Sequence, residues 1–168
     1  MKNKLVILFA LLVLLSSRLA AEPLEAGHEV GQQAPGFSLK ALDGNQYTLA
    51  QLTDKGHVLL VFWATECVYC YAHVSDFKKI HQQYNNKGLT LAAINIGGEY
   101  DPEVKEYVND NELNYLVLSN RLENLDVAEA YKVFGTPTMV LVSPGGKILY
   151  YGHQIPELDK WIKLVKNN

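Results

Sequence analysis

Residues 58–70 read Val-Leu-Leu-Val-Phe-Trp-Ala-Thr-Glu-Cys-Val-Tyr-Cys, an apolar run that leads into two closely spaced cysteines. Its first six residues are apolar without interruption, which is typical of a central strand that is buried on both faces. Its last four residues form a Cys-x-x-Cys motif shortly after that strand. Apolar side chains then recur at helical spacing, at Val74, Phe77, Ile80 and Tyr84. The motif is therefore predicted to lie at a strand-to-helix junction.

The sequence on either side predicts alternating strands and helices. Upstream, short strands at 37–39 and 47–49 flank an Asp-Gly-Asn turn and predict a β-hairpin. The downstream predictions are a strand at 89–96, a helix at 101–109 with Asp101 as N-cap, a strand at 115–118, a helix at 125–134, a hairpin of strands 138–142 and 147–151, and a helix at 156–166. This order predicts an α/β fold with a mixed central sheet flanked by helices and an N-terminal β-hairpin extension.

Two of these helices are predicted to bury one apolar face each. The inward positions expected from helical spacing are Val127, Ala130, Tyr131 and Phe134 in the first, and Leu158, Trp161, Ile162 and Val165 in the second.

The N-terminus is predicted to be a secretory signal peptide over residues 1–21. A short basic start precedes an unbroken apolar run at 5–15, and small residues follow it. This run is shorter than the roughly 20 residues of an ordinary transmembrane helix, and an uncleaved membrane anchor through it is the alternative. A linker at 22–35 and one domain at 36–168 complete the predicted organisation. Such a protein is expected in the periplasm or another extracytoplasmic space.

Composition and charge fit one globular domain and no nucleic-acid partner. The chain has 168 residues, of which 48% are hydrophobic and 20% charged, which is enough apolar content for a core. Without residues 1–21 it keeps 12 basic and 18 acidic residues, a formal net charge of −6. This acidic balance argues against binding to nucleic acid or anionic lipid.

The two cysteines, Cys67 and Cys70, indicate redox chemistry rather than a structural staple. Small secreted domains that depend on disulfides carry more cysteines at wider spacings, and so short a loop adds little stability. A thiol at a helix N-terminus faces unpaired N–H groups and the positive end of the helix dipole, which both stabilise a thiolate. Cys67 is therefore the predicted nucleophile and Cys70 the resolving thiol. A zinc site is not expected because it needs four ligands, and no cofactor is expected beyond the redox-active cysteine pair.

The motifs around this pair carry a family resemblance. Phe62-Trp63-Ala64-Thr65 before the Cys-x-x-Cys motif resembles the active-site approach of thioredoxins. With the hairpin, the signal peptide and Gly135-Thr136-Pro137-Thr138, residues 30–166 resemble the TlpA/ResA-type periplasmic thiol–disulfide oxidoreductases. The resemblance implies a thioredoxin-like fold and reduction of disulfides in exported proteins, with apocytochrome c as one candidate substrate.

The same resemblance implies site residues beyond the cysteines. Trp63, Thr136 and Pro137 are expected to contact substrate, and the Thr136–Pro137 bond is expected to be cis and beside Cys67. Glu99 is expected to act as a proton relay near the thiols, with a solvated loop acid as the alternative.

Some residues depart from the family pattern. Val61 stands where thioredoxins place a buried acid, and Glu66 replaces a common tryptophan. The dipeptide Val68-Tyr69 contains no cation, and Glu66 adds a negative charge that disfavours a thiolate. These charges predict a reductase or mild isomerase, which would need a membrane partner that delivers electrons in an oxidising compartment.

Two other functions remain as alternatives. A thiolate copper chaperone could bind Cu(I) through Cys67 and Cys70, with His73 as a third ligand. A peroxiredoxin-like peroxidase is the other, because Thr65-Glu66-Cys67 is similar to a threonine-before-cysteine motif, although the expected upstream proline is missing.

Overall fold

The computed structural model describes residues 26–119 and 121–162, and the predicted signal peptide and Val165 lie outside these residues. The elements in chain order are β1 (Ser38–Lys40), β2 (Gln46–Thr48), α1 (Leu49–Thr53), β3 (His57–Trp63), α2 (Val68–Ala72), α3 (Val74–Tyr84), β4 (Leu89–Asn95), α4 (Asp101–Asp110), β5 (Leu116–Leu118), α5 (Arg121–Ala130), β6 (Thr138–Val142) and β7 (Ile148–Gly152). Single 3₁₀ turns occupy Asn85–Lys87 and Leu158–Lys160. Within the described ranges, no helix combines the length and apolar character needed to cross a membrane.

The main sheet has five strands in the order β5-β4-β3-β6-β7. Strand β3 pairs in parallel with β4 up to Trp63 and Asn95, and antiparallel with β6 up to Phe62 and Thr138. Strand β5 is parallel to β4, and β7 is antiparallel to β6. Strands β1 and β2 form the separate antiparallel hairpin. The predicted mixed sheet with an N-terminal hairpin is therefore confirmed.

Strand β3 lies between two apolar clusters. Val58, Leu60 and Phe62 belong to the cluster formed with the hairpin, α1 and α5. Leu59, Val61 and Trp63 belong to the cluster on the other face, formed with α3 and α4. Both faces are buried from Val58 to Trp63, which explains why the sequence is apolar without interruption over these residues.

Other segments of the chain cover both edges of the sheet. At the β5 edge, Ala41 forms a bridge to Leu118. At the β7 edge, the Gly31 N–H donates to the Ile148 carbonyl at 2.9 Å. Residues 26–35, which belong to the predicted linker, are thus packed against the domain. Edges covered in this way offer few unpaired groups to another strand.

Helix α5 ends four residues earlier than the predicted 125–134 helix. Lys132 has a left-handed φ of 51°, and the Val133 N–H donates to the Ala128 carbonyl at 2.9 Å. This pattern is a helix C-cap that turns the chain away from the helix axis. Phe134 lies beyond the turn and is 93% exposed, so its predicted inward position was wrong. Val127 and Tyr131 are buried as predicted, whereas Ala130 is exposed, so its predicted inward position was also wrong.

Two further helix ends differ from prediction. The N-cap of α4 is Tyr100, which has extended backbone angles, and Asp101 is already the first helical residue. The Asp101 carboxylate accepts the Ser119 hydroxyl at 2.8 Å. Near the C-terminus, Leu158 and Ile162 are buried as predicted, but Trp161 is 42% exposed. The described part of the predicted last helix contains one 3₁₀ turn at Leu158–Lys160, and Trp161 follows that turn.

Candidate active site

The Cys-x-x-Cys motif lies at the carboxyl end of β3, as predicted. After Trp63 the chain makes a turn in which the Cys67 N–H donates to the Ala64 carbonyl at 3.2 Å. Cys67 is the N-cap of α2, with extended backbone angles, and its Sγ accepts the Cys70 N–H at 3.0 Å. A short helix interrupted at His73 before α3 therefore carries the second cysteine.

The two cysteines form a disulfide but differ in access. Their Cα atoms are 5.2 Å apart. Cys67 is partly exposed, whereas Cys70 is only 3% exposed and packs in the cluster that contains Val61 and Phe77. A partner molecule can therefore approach the sulfur of Cys67 more readily than that of Cys70.

Glu99 lies close to the motif through a contact with Thr65. The Glu99 Oε1 accepts both the Thr65 backbone N–H at 2.7 Å and the Thr65 hydroxyl at 2.5 Å. Burial alone would raise the pKa of Glu99, but these hydrogen bonds outweigh it and hold the pKa below its usual value. The carboxylate is thus ionised at neutral pH. It is held against Thr65, which is two residues before Cys67 in the chain. Its predicted role as a proton relay stays a prediction.

Two glycines shape the loop that presents Glu99. Gly98 has a left-handed φ of 80°. A Cβ at Gly97 would overlap the Glu99 carboxylate, so the side chain of Glu99 folds back over a position that only glycine leaves open. The Gly-Gly pair in this loop is therefore part of the arrangement that brings the carboxylate to Thr65.

Apolar and aromatic groups lie beneath the disulfide. Trp63 is 4% exposed and packs on Tyr107 with ring centroids 5.0 Å apart. A cavity of about 10 Å³, large enough for roughly one water molecule, borders these two residues, Val61 and Cys70. Burial and the nearby Tyr71 raise the pKa of Tyr107, so its hydroxyl stays neutral. The predicted substrate contact of Trp63 stays a prediction, and the structure places most of the indole in the core.

The Thr136–Pro137 peptide bond is cis, as predicted. Pro137 is buried and immediately precedes β6, whose Thr138 pairs with Phe62 of β3. This register places the proline at the end of β3 from which the chain continues to Cys67. No hydrogen bond among the described residues uses the backbone N–H or carbonyl of Thr136. The predicted substrate contacts of both residues stay predictions.

His153 is a site residue that the sequence reasoning missed. Its Nδ1 lies 2.8 Å from the Pro137 carbonyl oxygen and 3.4 Å from the Thr138 hydroxyl. A carbonyl oxygen only accepts, so Nδ1 carries the proton of this hydrogen bond. The predicted second strand of the hairpin ended at residue 151. The observed pairing of Met139 with Gly152 is what brings His153, the next residue, alongside the proline.

The described residues provide little for a metal ion. His73, the third ligand of the copper alternative, lies with its Nδ1 3.8 Å from an Asp76 carboxylate oxygen. Across residues 26–119 and 121–162, no group of three or more His, Cys, Asp or Glu side chains could hold a metal ion. The structure therefore adds no support to the copper alternative.

The fold places this protein in the thioredoxin-like class, and sequence comparison supplies the family. The chain belongs to the AhpC/TSA family, whose model matches residues 30–151. It is 30% identical over 125 residues to the thiol-disulfide oxidoreductase ResA of Oceanobacillus iheyensis, which covers 72% of this chain and 63% of that protein. It is 31% identical over 126 residues to the thioredoxin-like protein YneN of Bacillus subtilis, and this alignment covers 74% of this chain and 71% of that protein.

A solved structure shares the fold. The solution structure of a thiol:disulfide interchange protein from a Bacteroides species matches with a TM-score of 0.73 and 24% identity, over 82% of this chain and 93% of that one. The predicted thioredoxin-like fold and the resemblance to ResA-type proteins are confirmed. The alignment spans less than two thirds of the length of the Oceanobacillus relative.

Proposed function

We propose that this protein is a thiol–disulfide oxidoreductase that reduces disulfides of protein substrates through Cys67. The observation that carries the proposal is the difference in access within the pair: Cys67 is partly exposed and Cys70 is 3% exposed. Disulfide exchange needs one thiolate that meets the substrate and one that stays protected until the mixed disulfide has formed. The names of the relatives support the same chemistry.

The reaction has two exchange steps. In the reduced protein, the Cys67 thiolate attacks one sulfur of the substrate disulfide, forms a mixed disulfide and releases the other substrate sulfur as a thiolate. The Cys70 thiolate then attacks Cys67 Sγ and releases the second substrate sulfur. Each released thiolate takes up a proton, and two electrons pass from the protein to the substrate. The Cys67–Cys70 disulfide of this structure is the product of the second step.

Three groups near Cys67 have proposed supporting roles. The Cys70 N–H points to Cys67 Sγ at 3.0 Å, where it would also stabilise a thiolate. Thr136 has an unused backbone edge that suits an extended substrate segment next to Cys67. Glu99, ionised and held by Thr65, is the proposed group for moving protons during exchange.

The cellular setting is part of the proposal. The predicted signal peptide supports an extracytoplasmic location, where thiols do not stay reduced without an electron supply. We therefore include a membrane partner that returns electrons to Cys67 and Cys70. Exported proteins with disulfides are the substrate class, and apocytochrome c is one candidate.

Trapping in the living cell tests the assignment of the two thiols. A Cys70→Ala variant cannot complete the second step, so it should accumulate mixed disulfides through Cys67. A Cys67→Ala variant is the matched control and should accumulate far fewer. Both variants should lose dithiol turnover. Trapping mainly by Cys67→Ala would reverse the roles of the two cysteines.

Three assays separate the proposal from its alternatives. Reduction of insulin disulfides by the reduced protein supports exchange chemistry. Consumption of peroxide at a higher rate than exchange would favour a peroxiredoxin-like peroxidase. Tight Cu(I) binding that requires both cysteines and His73, without insulin reduction, would favour the copper chaperone.

A further inference from the structure

A groove runs beside the candidate site on its α5 side. Its volume is about 620 Å³, and both Ala64 and Thr136 line it. Leu125 of α5 and Ile96, just after β4, contribute apolar walls, and Phe134 lines it as well. Ala64 lies three residues before Cys67, and Thr136 directly precedes the cis-proline. The groove therefore lies beside two segments that flank the reacting disulfide, the turn before Cys67 and the residue before the cis-proline.

Phe134 is the most unusual residue of this groove. It is 93% exposed, although its aromatic ring would be more favourably placed in the core. The C-cap at Lys132 turns the chain so that Phe134 cannot continue the buried face of α5. Leu122 and Leu125, one turn apart on α5, are 69% and 43% exposed and extend the apolar surface. Leu125 and Phe134 line the same groove, and exposed apolar side chains grouped in this way indicate a contact with another molecule.

The occupant of the groove follows from its neighbours. Thr136 has a free backbone edge and also lines this groove, so a substrate segment that pairs there while reacting with Cys67 brings its adjacent residues close to the groove. The charged groups that line it, Glu129 and Lys132, have opposite signs and give no net preference for charge. The preference of the groove is therefore for apolar side chains.

We infer that this groove binds the polypeptide segment next to the reacting cysteine of the substrate, and that Phe134 selects segments with a large apolar or aromatic side chain there. The inference rests on the proposed function and narrows its substrate class. Substrates of this protein are then extended segments in which a reactive cysteine is followed or preceded by an apolar residue.

Exchange kinetics with matched peptides test this inference. The probes are two single-cysteine peptides of equal length, each as a mixed disulfide with thionitrobenzoate, which differ only in Phe or Ser beside the cysteine. The small disulfide DTNB is the third probe. With reduced wild-type protein, we expect the Phe peptide to react about 10-fold faster than the Ser peptide. Phe134→Ala should remove most of this ratio while lowering the DTNB rate far less.

Val30→Ala is the matched control variant. Val30 is 62% exposed and lies next to Gly31, whose N–H donates to the Ile148 carbonyl at the end of the sheet opposite the disulfide. The exchange rates of the Val30→Ala variant should therefore equal those of the wild type. Equal wild-type rates for both peptides would overturn the inference and leave the exchange function intact. A Phe134→Ala variant that slows DTNB as much as the Phe peptide would overturn it too. No reaction with any probe would instead refute the proposed function.

A second copy of the chain is the competing occupant. Sedimentation of the wild type and Phe134→Ala separates the two cases. A wild-type monomer supports a substrate segment as the occupant. A wild-type dimer that dissociates in the variant would overturn the inference.

Discussion

At the scale of single residues, the contact between Glu99 and Thr65 ties the turn before Cys67 to the loop after β4. Both hydrogen bonds end on one carboxylate oxygen, at 2.7 and 2.5 Å. Hydrogen bonds to an ionised acceptor are stronger than neutral ones, which is why the pKa of Glu99 is lowered despite its partial burial. The contact should therefore contribute to stability only while the carboxyl group is charged.

Replacement of Glu99 by glutamine tests this charge dependence. Glu99→Gln keeps an oxygen acceptor but removes the charge, and should cost about 1 kcal/mol of unfolding free energy at pH 7. A group with a lowered folded pKa stabilises the protein above its unfolded pKa, near 4.5, and loses that contribution as the pH falls through the folded value. Urea unfolding of the oxidised protein at pH 7 and pH 3 should show the difference between variant and wild type shrink at pH 3. An unchanged difference would contradict the assigned charge.

His153 allows a second residue-scale test, because its hydrogen bond fixes the carbonyl of Pro137. His153→Leu removes the donor and should lower the unfolding free energy by about 1 kcal/mol. It should also raise KM for a peptide disulfide more than it lowers kcat, since the loop beside Cys67 would lose a support. His153→Asn places an amide N–H near the position of Nδ1. It should restore most of the unfolding free energy and most of the KM for the peptide disulfide. Failure of the asparagine variant to rescue either quantity would contradict this role.

At the scale of elements, the loop between β4 and α4 depends on Gly97. The Cβ of an alanine there would overlap the carboxylate of Glu99, which is the far end of a flexible side chain. The side chain can move aside, so the cost is the loss of its hydrogen bonds to Thr65 rather than a backbone clash. The loop and the carboxylate thus form one unit.

A double-mutant cycle measures the coupling free energy between Gly97 and Glu99. Gly97→Ala should cost about 1–2 kcal/mol of unfolding free energy in the wild type and much less in a Glu99→Ala background, because the hydrogen bonds are already lost there. Gly36→Ala is the control, since a Cβ at Gly36 meets nothing within 4 Å. Additive costs of the two substitutions would show that Gly97 acts independently of Glu99.

Elements with strong apolar patterns could be predicted from the sequence, and their ends could not. The run that became β3 and the spacing that became α3 were found because burial dictates residue type at nearly every position. The end of α5 was missed because its left-handed C-cap residue is Lys132, where glycine is the usual signal. Phe134 then matched the helical spacing by sequence alone, although the chain had already turned.

The site was predictable to the same degree. Cys67 and Cys70 follow from a local motif that a single sequence displays, and the cis-proline was expected from the family resemblance. His153 and Thr65 act through contacts between segments distant in sequence, 16 residues apart for His153 and Pro137 and 34 for Thr65 and Glu99. Such contacts depend on sheet register and loop geometry, and no spacing in the sequence displays them.

At the scale of the whole molecule, the charges around the disulfide set the expected direction of electron flow. Val68 and Tyr69 between the cysteines carry no cation, and the acid Glu66 precedes the nucleophile. Strong oxidants stabilise their reduced thiolate strongly. A site with an acid before the nucleophile and no cation between the cysteines stabilises the thiolate less, so it should be more reducing.

Equilibration of the purified protein with glutathione buffers gives the potential. We expect a value well below the roughly −120 mV of a strong oxidant. Glu66→His replaces the acid with a group that can carry positive charge and should raise the potential toward that value. A wild-type potential near −120 mV would make the protein a donor of disulfides and reverse its proposed direction.

The path of the N-terminal segment over the sheet determines where an attachment ahead of Ala26 lies relative to the disulfide. Ala26 forms a bridge to Gln33, which in turn forms a bridge to Lys147 in the turn before β7. The disulfide lies beyond the opposite end of β3, and a strand of that length spans roughly 20 Å. An anchor, tag or solid support joined ahead of Ala26 is thus attached near the end of the sheet opposite the Cys67 sulfur. A molecule tethered there presents Cys67 outward, with the approach to its partners unobstructed by the point of attachment.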